Sequence, residues 1–207
     1  MSARRDDILR IAAELFAQKG ISGTTVRDIG AAANIYSGSL YHFFASKDVI
    51  VSEILAEFMS DVQHTFREAV DTAPNPAAAV RGLIDATLEI IDRHPHATAI
   101  YQNDRTYLRE HGLLEPIDTA SRGIRNFWMK PLRAGIADGS FRTDVPAEVF
   151  YRSVRDTLWA TTHWPSRPRY KTRELADIIA TMFFDGFSQP GAVPLDGIGT
   201  LTHRLRG

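Results

Sequence analysis

Within about fifty residues the chain sets down a helix, a glycine, a second helix, a tight turn and a third helix, a succession that leaves few folds open to its N-terminal part. From Asp6 to Lys19 the apolar residues Ile8, Ile11, Ala12, Leu15 and Phe16 recur at intervals of three and four, one face of an amphipathic helix. Gly20 ends that helix, and Thr24 stands where it can cap a second one whose inward residues are Val26, Ile29 and Ala33. Asn34, which tolerates left-handed backbone, marks the turn. A third short helix holds Leu40, Tyr41 and Phe44, and Lys47 opens a longer fourth through Ile50, Ile54, Leu55, Phe58 and Val62.

The helical rhythm continues to the end of the interpretable sequence. Asn75 and Pro76 predict the cap and first residue of a fifth helix, running to about Arg93. A sixth segment carries Ile100, Tyr101 and Leu108; a seventh helix, from about Pro116, carries Phe127, Trp128, Leu132 and Ile136 and stops at "DGSF". The eighth follows Pro146 and reaches His163, and the ninth spans Thr172 to about Phe187. With no strand alternation and no internal repeat, the fold is predicted to be all-α, about nine helices in a small N-terminal unit and a larger bundle.

Composition narrows the function. A chain of 207 residues with a formal net charge of −1 has no global attraction to nucleic acid or anionic membrane, so any such binding must come from a local patch. The absence of cysteine removes disulfides, thiol nucleophiles and thiolate metal sites. Acids follow the N-terminal basic residues at once and no long apolar run comes after, so a soluble, cytoplasmic protein with no membrane partner is expected. "HPH" at His94 to His96 lacks a third ligand at fitting spacing and is expected to be a helix-end loop. There is no phosphate-cradling glycine loop, nucleophile elbow or paired catalytic carboxylates, so neither enzyme, cofactor nor metal is expected.

In a helix-turn-helix the second helix enters the major groove, so its outward residues must be small or polar and its inward ones apolar. "SGSLYHFF" fits: Leu40 and Phe44, four apart, anchor the inner face, leaving Ser37, Gly38, Ser39, Tyr41 and His42 at or near the outer one. Farther on, Arg155 and Trp159 are also four apart, with Arg152 and His163 one turn to either side and Phe150, Val154, Leu158 and Thr161 on an apolar face. Such a pair either binds an anionic group while the ring packs apolar ligand surface, or stacks on itself and pairs with a carboxylate such as Asp156 or Asp104. In the ninth helix Leu175, Ile178, Ile179, Met182, Phe183 and Gly186 recur at three and four, while Phe184 and Phe187 widen the arc beyond one buried face.

Residues 8 to 55, "AAELFAQKGISGTTVRDIGAAANIYSGSLYHFFASKDVI" at their centre, resemble the N-terminal domain of the TetR family of transcriptional regulators, with Phe16, Gly20, Thr24, Thr25, Ile29, Leu40, Tyr41, Phe44 and Lys47 at the family's spacings. The resemblance implies a DNA-reading unit over residues 1–48, a ligand-binding and dimerisation domain over 49–190 and a C-terminal tail over 191–207, in a homodimer on a double-stranded, roughly palindromic operator. Carried over by position, Thr25 and Arg27 contact DNA from the bracing helix, Ser37, Gly38, Ser39 and His42 face bases, and Tyr41 and Lys47 hold the backbone. Arg4 and Arg5 add contacts from a flexible arm. Counting Arg4, Arg5, Arg27 and Lys47 in both subunits, about eight phosphate contacts predict a salt slope near −7. Three positions depart from the family's pattern: Tyr36 stands where a capping Ser or Thr is common, Gly30 replaces an alanine, and Phe43 replaces a Tyr or His that offers a phosphate donor.

"AIYQND", "GSFRTD" and "FYRSVRDTLWATTHW" together with "SGSLYHFFASKD" are similar to actinobacterial TetR-type repressors of sterol catabolism, which respond to a steroid-derived acyl-CoA thioester. That resemblance implies a small-molecule effector of this kind, with Arg155 and Trp159 as ligand residues and Tyr101, Gln102, Phe127, Trp128 and Trp164 as lesser candidates. The family's pairing of its last two long helices across a two-fold axis implies dimer contacts from Phe150, Val154, Leu175, Ile178, Ile179, Met182 and Phe183.

Overall fold

The computed structural model describes residues 3–185. The first helix, α1 (Ala3–Lys19), is closed by Gly20 at φ 74°, whose N–H donates to the Phe16 carbonyl at 2.8 Å. It starts three residues earlier than periodicity predicts, so Arg4 and Arg5 lie in its first turn rather than on a flexible arm. α2 (Val26–Ala32) is capped by Thr25, not Thr24: Thr25 Oγ1 accepts from Asp28 N–H while the Asp28 carboxylate accepts from Thr25 N–H, a complete capping box. Thr24 is instead buried, its hydroxyl donating to the Gly20 carbonyl at 2.9 Å.

Asn34 at φ 53° makes the turn into α3 (Ser37–Leu40). The approach of α2 to that turn is close: a Cβ on Gly30 would lie 3.1 Å from the Ile35 carbonyl oxygen and 3.2 Å from Ser37 Cα. Leu40 and Phe44 are buried, and Phe43 is half-buried against the core.

α4 (Lys47–Asp71), capped by Ser46, is about 37 Å long and runs from the DNA-reading unit into the bundle. Its first turns bury Ile50, Val51, Ile54 and Leu55; its later ones bury Phe58, Met59, Val62 and Phe66. α5 (Pro76–Arg93), capped by Asn75 and opened by Pro76 as predicted, buries residues nearly all round and packs against α4, α8 (Leu114–Ala137), α9 (Ala147–Ala160) and α10 (Thr172–Asp185). Between α5 and α8 the expected single sixth helix is two, α6 (Pro95–Asn103) and α7 (Arg105–Glu110), broken at Asp104, which makes ten α-helices among the described residues. α9 ends at Ala160 and a 3₁₀ turn covers Thr161–His163, so the predicted eighth helix stops one turn early as an α-helix. The tail 191–207 and Phe187 lie outside the described residues, and no described helix is long and apolar enough to cross a membrane.

α8 carries Pro131 in its interior and ends against Phe141. A Cβ on Gly135 would come within 2.2 Å of Phe141 Cδ2 and 2.5 Å of Cε2. Alanine gains about 1 kcal/mol in helix propensity there, but displacing a packed ring costs about 1–3 kcal/mol. Gly135→Ala is therefore expected to lower the unfolding free energy by about 1 kcal/mol in urea titrations; a stabilised variant would show that the Phe141 ring swings aside freely.

Candidate functional site

The outer face of the N-terminal unit is made by the ends of α2 and α3. Thr25, Arg27, Gly38, Tyr41 and His42 are exposed, and Ser37 and Ser39 are half-exposed beside them. Space for a Cβ on Gly38 is open on all sides, so nothing in the protein requires glycine there. Tyr36, not anticipated as part of this face, is 89% exposed. It occupies the N-cap of α3 and makes no side-chain cap. Its backbone, at φ −64° and ψ 138°, already has the geometry a capping hydroxyl uses. Tyr36→Ser is expected to raise stability by about 1 kcal/mol, a rise of about 2–4 °C in Tm by scanning calorimetry; an unchanged Tm would mean that the four-residue helix does not limit stability.

Three cations expected on this face make contacts within the protein. Arg4 donates to the Ala33 carbonyl at the end of α2. Arg5 pairs with Glu53 at 2.6 Å and lies 4.5 Å over the Phe44 ring. Lys47 Nζ donates to the carbonyls of Ile21 at 2.8 Å and Thr24 at 3.1 Å and sits 5.2 Å over the Tyr107 ring. In this structure Lys47 ties the start of α4 to the turn before α2. The same turn is held from the other side by Asp104, whose carboxylate accepts from Ile21 N–H at 3.0 Å. Next to it Asp48 accepts from the Tyr107 hydroxyl at 2.5 Å and meets His111 Nδ1 at 2.9 Å. Burial and the Asp48 carboxylate push the Tyr107 hydroxyl well above its ordinary range. Burial alone would raise Asp48, yet the donors Tyr107 and His111 and the charge on Lys47 hold it below the usual carboxylate value.

Inside the bundle is a cavity of about 320 Å³. Its apolar wall comes from α4 (Phe58, Met59, Val62, Phe66), with Trp128 of α8 and Tyr151 and Trp159 of α9 closing it. The rings interlock: Trp159 lies 5.6 Å from Tyr101 and 6.4 Å from Phe58, and Trp128 lies 6.3 Å from Phe66 and 6.1 Å from Tyr151. Of the expected ligand residues, Arg155, Trp159, Tyr101 and Trp128 are brought together at this cavity. Gln102, Phe127 and Trp164 are not. Gln102 donates to the Trp159 carbonyl at 3.1 Å and accepts from the Thr162 hydroxyl, fastening α6 to the end of α9. Phe127 packs on the core, and Trp164 follows the 3₁₀ turn and is 36% exposed. Arg155 does not stack on Trp159: it pairs with Asp156 at 2.6 Å and lies 5.4 Å over Tyr151.

The mouth of the cavity was missed by sequence reasoning. Asp118, Ser121, Arg122 and Arg125 of α8 line it, and Tyr101 Oη lies 3.3 Å from Ser121 Oγ. Their spacing of three and four continues the stripe of Trp128 and Leu132 toward the N-terminus of α8, so the signal was a polar extension of an inward face.

The expected dimer residues divide by burial. Val154, Leu175 and Ile179 are buried within one protomer, packed beneath α5, and cannot also form an outward face. Phe150 and Phe183 are half-buried and meet edge to face at 5.6 Å. Ile178 and Met182 are exposed, together with Val149 and Phe184, which were not singled out as contacts.

Residues 8–54 match the family described as bacterial regulatory proteins of the tetR family, and residues 73–187 match the tetracyclin repressor-like C-terminal domain. The chain is 42% identical over 163 residues to the HTH-type transcriptional repressor KstR2 of Rhodococcus jostii, covering 79% of this chain and 80% of that one. It is 38% identical over the same length to KstR2 of Mycolicibacterium smegmatis, with the same coverage. Among solved structures, the ketosteroid transcriptional regulator KstR2 of Mycobacterium tuberculosis superposes with a TM-score of 0.84 at 33% identity, covering 92% of this chain and 97% of that one.

Proposed function

Because the chain belongs to the tetR family of bacterial regulatory proteins, whose members are non-enzymatic DNA-binding regulators, we propose that it is a transcriptional repressor that binds a palindromic operator as a homodimer and is released by a small-molecule effector. The effector in this reading is a steroid-derived acyl-CoA thioester. The observation that carries it is the division of the pocket into an aromatic and aliphatic interior and an arginine-lined mouth, which suits an apolar acyl body with an anionic extension. At about 320 Å³ the cavity lies at the small end of ligand pockets, with room for fused rings and none for a whole coenzyme. The coenzyme portion therefore leaves through the mouth. The likeness to the repressor KstR2, and to the solved structure of a ketosteroid transcriptional regulator, supports repression and a steroid-linked role. Ile178, Met182, Val149 and Phe184 form the apolar surface on which a second copy packs in this proposal.

Gel shifts against the promoter regions beside the protein's own gene, repeated with acyl-CoA thioesters, test the reading: binding released by a steroid-derived thioester is expected, and failure to bind any DNA overturns it. A second reading, a different hydrophobic effector, is favoured by the existing Arg155–Asp156 pair, which leaves Arg155 without need of an anion. The two separate in the Arg155→Met variant. A thioester sensor requires about ten times more ligand for half-release, as expected for loss of one charge-assisted contact of about 1.4 kcal/mol, whereas a sensor of neutral ligands keeps its response.

A further inference from the structure

Charges around the cavity mouth do not cancel. Arg122, Arg125, Arg155 and Asp118 line it, and their ion pairs bring in Arg105, Arg152, Glu148 and Asp156, five cations against three carboxylates. The carboxylates are already assigned: Asp118 pairs with Arg105 at 3.0 Å, Glu148 with Arg125 and with Arg152 at 2.8 Å, and Asp156 with Arg155 at 2.6 Å. Arg122 stands apart. Among the described residues its guanidinium meets only the Thr119 hydroxyl, at 2.8 Å, and it is exposed at the rim.

Resting on the effector reading above, the geometry points to Arg122 as the residue that binds a doubly charged phosphate group of the effector just outside the cavity, flanked by Arg125 and Arg155. Two uncompensated positive charges call for two negative ones. A carboxylate supplies one, and a diphosphate supplies two on oxygens spaced for the guanidinium fork. No ion pair of Arg122 must be broken to bind it, because Arg122 gives up only a hydroxyl contact, whereas Arg125 and Arg155 would each have to share a carboxylate they already hold. The apolar cavity then selects the acyl body, and Arg122 selects the thioester over the free acid. This makes Arg122 a specificity residue distinct from Arg155.

The test is titration of tryptophan fluorescence, since Trp128 and Trp159 line the cavity, with two probes: a carboxylic acid of two fused saturated rings, and the coenzyme A thioester of the same acid. The native protein is expected to prefer the thioester by about tenfold or more, which is about 1.4 kcal/mol per factor of ten. Arg122→Glu should bring that preference close to one by weakening the thioester far more than the free acid, and Arg122→Lys should retain most of it. If the native protein prefers the thioester and Arg122→Glu keeps the preference, or loses acid and thioester equally, the assignment of Arg122 fails while the effector reading stands. If the native protein binds both probes alike, or neither, the thioester reading fails and the assignment with it.

Discussion

Lys47→Met is expected to lower the unfolding free energy by about 3 kcal/mol and to leave the salt slope of operator binding where it was. Each charge-assisted hydrogen bond contributes about 1.5–3 kcal/mol, and Lys47 makes two, to the carbonyls of Ile21 and Thr24, besides its place over the Tyr107 ring. Methionine keeps the apolar stem and removes the ammonium. A lysine on a DNA phosphate behaves in the opposite way: removing it from both subunits takes about 2 off the slope and costs no stability. Chemical denaturation and binding isotherms at several salt concentrations together decide between a strut and a phosphate ligand. With Arg4 on the Ala33 carbonyl and Arg5 on Glu53 as well, the native slope is expected to be shallower than the value near −7 that four free cations per subunit predict. A measured slope near −7 together with undiminished stability in Lys47→Met would return these residues to the DNA.

The same three cations show where the sequence stops being legible. Some helix boundaries follow from local signals, a glycine at φ 74° and an asparagine at φ 53° in the N-terminal unit and the Asn75 and Pro76 pair at the start of α5, and these lie where the sequence pattern places them. Partners of Arg4, Arg5 and Lys47 lie 29, 48 and 26 residues away, and no spacing announces them. Thr24 and Thr25 offer the same hydroxyl one residue apart, and only the packing of Thr24 against the end of α1 decides which of them caps. In the bundle, α9 and α10 show why a pattern of threes and fours cannot divide core from interface: Ile179 and Ile178 satisfy it equally, and one is buried while the other is exposed. The aromatic half of the pocket was legible because Trp159, Trp128 and Tyr101 are bulky and few. Its basic half was not, because Arg122 and Arg125 on α8 look from sequence like a solvated face.

Asp104→Ala is expected to leave effector affinity nearly unchanged while cutting effector-driven loss of operator affinity from about a hundredfold to below about tenfold. A hundredfold response requires a difference of about 2.7 kcal/mol in effector affinity between the two conformations, and that difference has to reach the DNA-reading unit through elements in contact with both. α4 is one such element. The α6–α7 pair is the other, and it is the shorter route: Tyr101 lines the cavity, Arg105 lies 5.4 Å over the Tyr101 ring and pairs with Asp118 at the mouth, and Asp104 between them holds Ile21 N–H in the turn before α2. A ligand that moves Tyr101 or competes with Asp118 for Arg105 shifts Asp104 by way of a single helix break, and the turn held by Asp104 is the one that Lys47 braces from α4. Removing the carboxylate unfastens the turn from α6–α7 and leaves the Lys47 tie in place, so operator binding persists while its response fades. Operator affinity measured with and without saturating effector, in native and variant proteins, gives the coupling directly. Full release by the effector in Asp104→Ala would place the coupling in α4 alone.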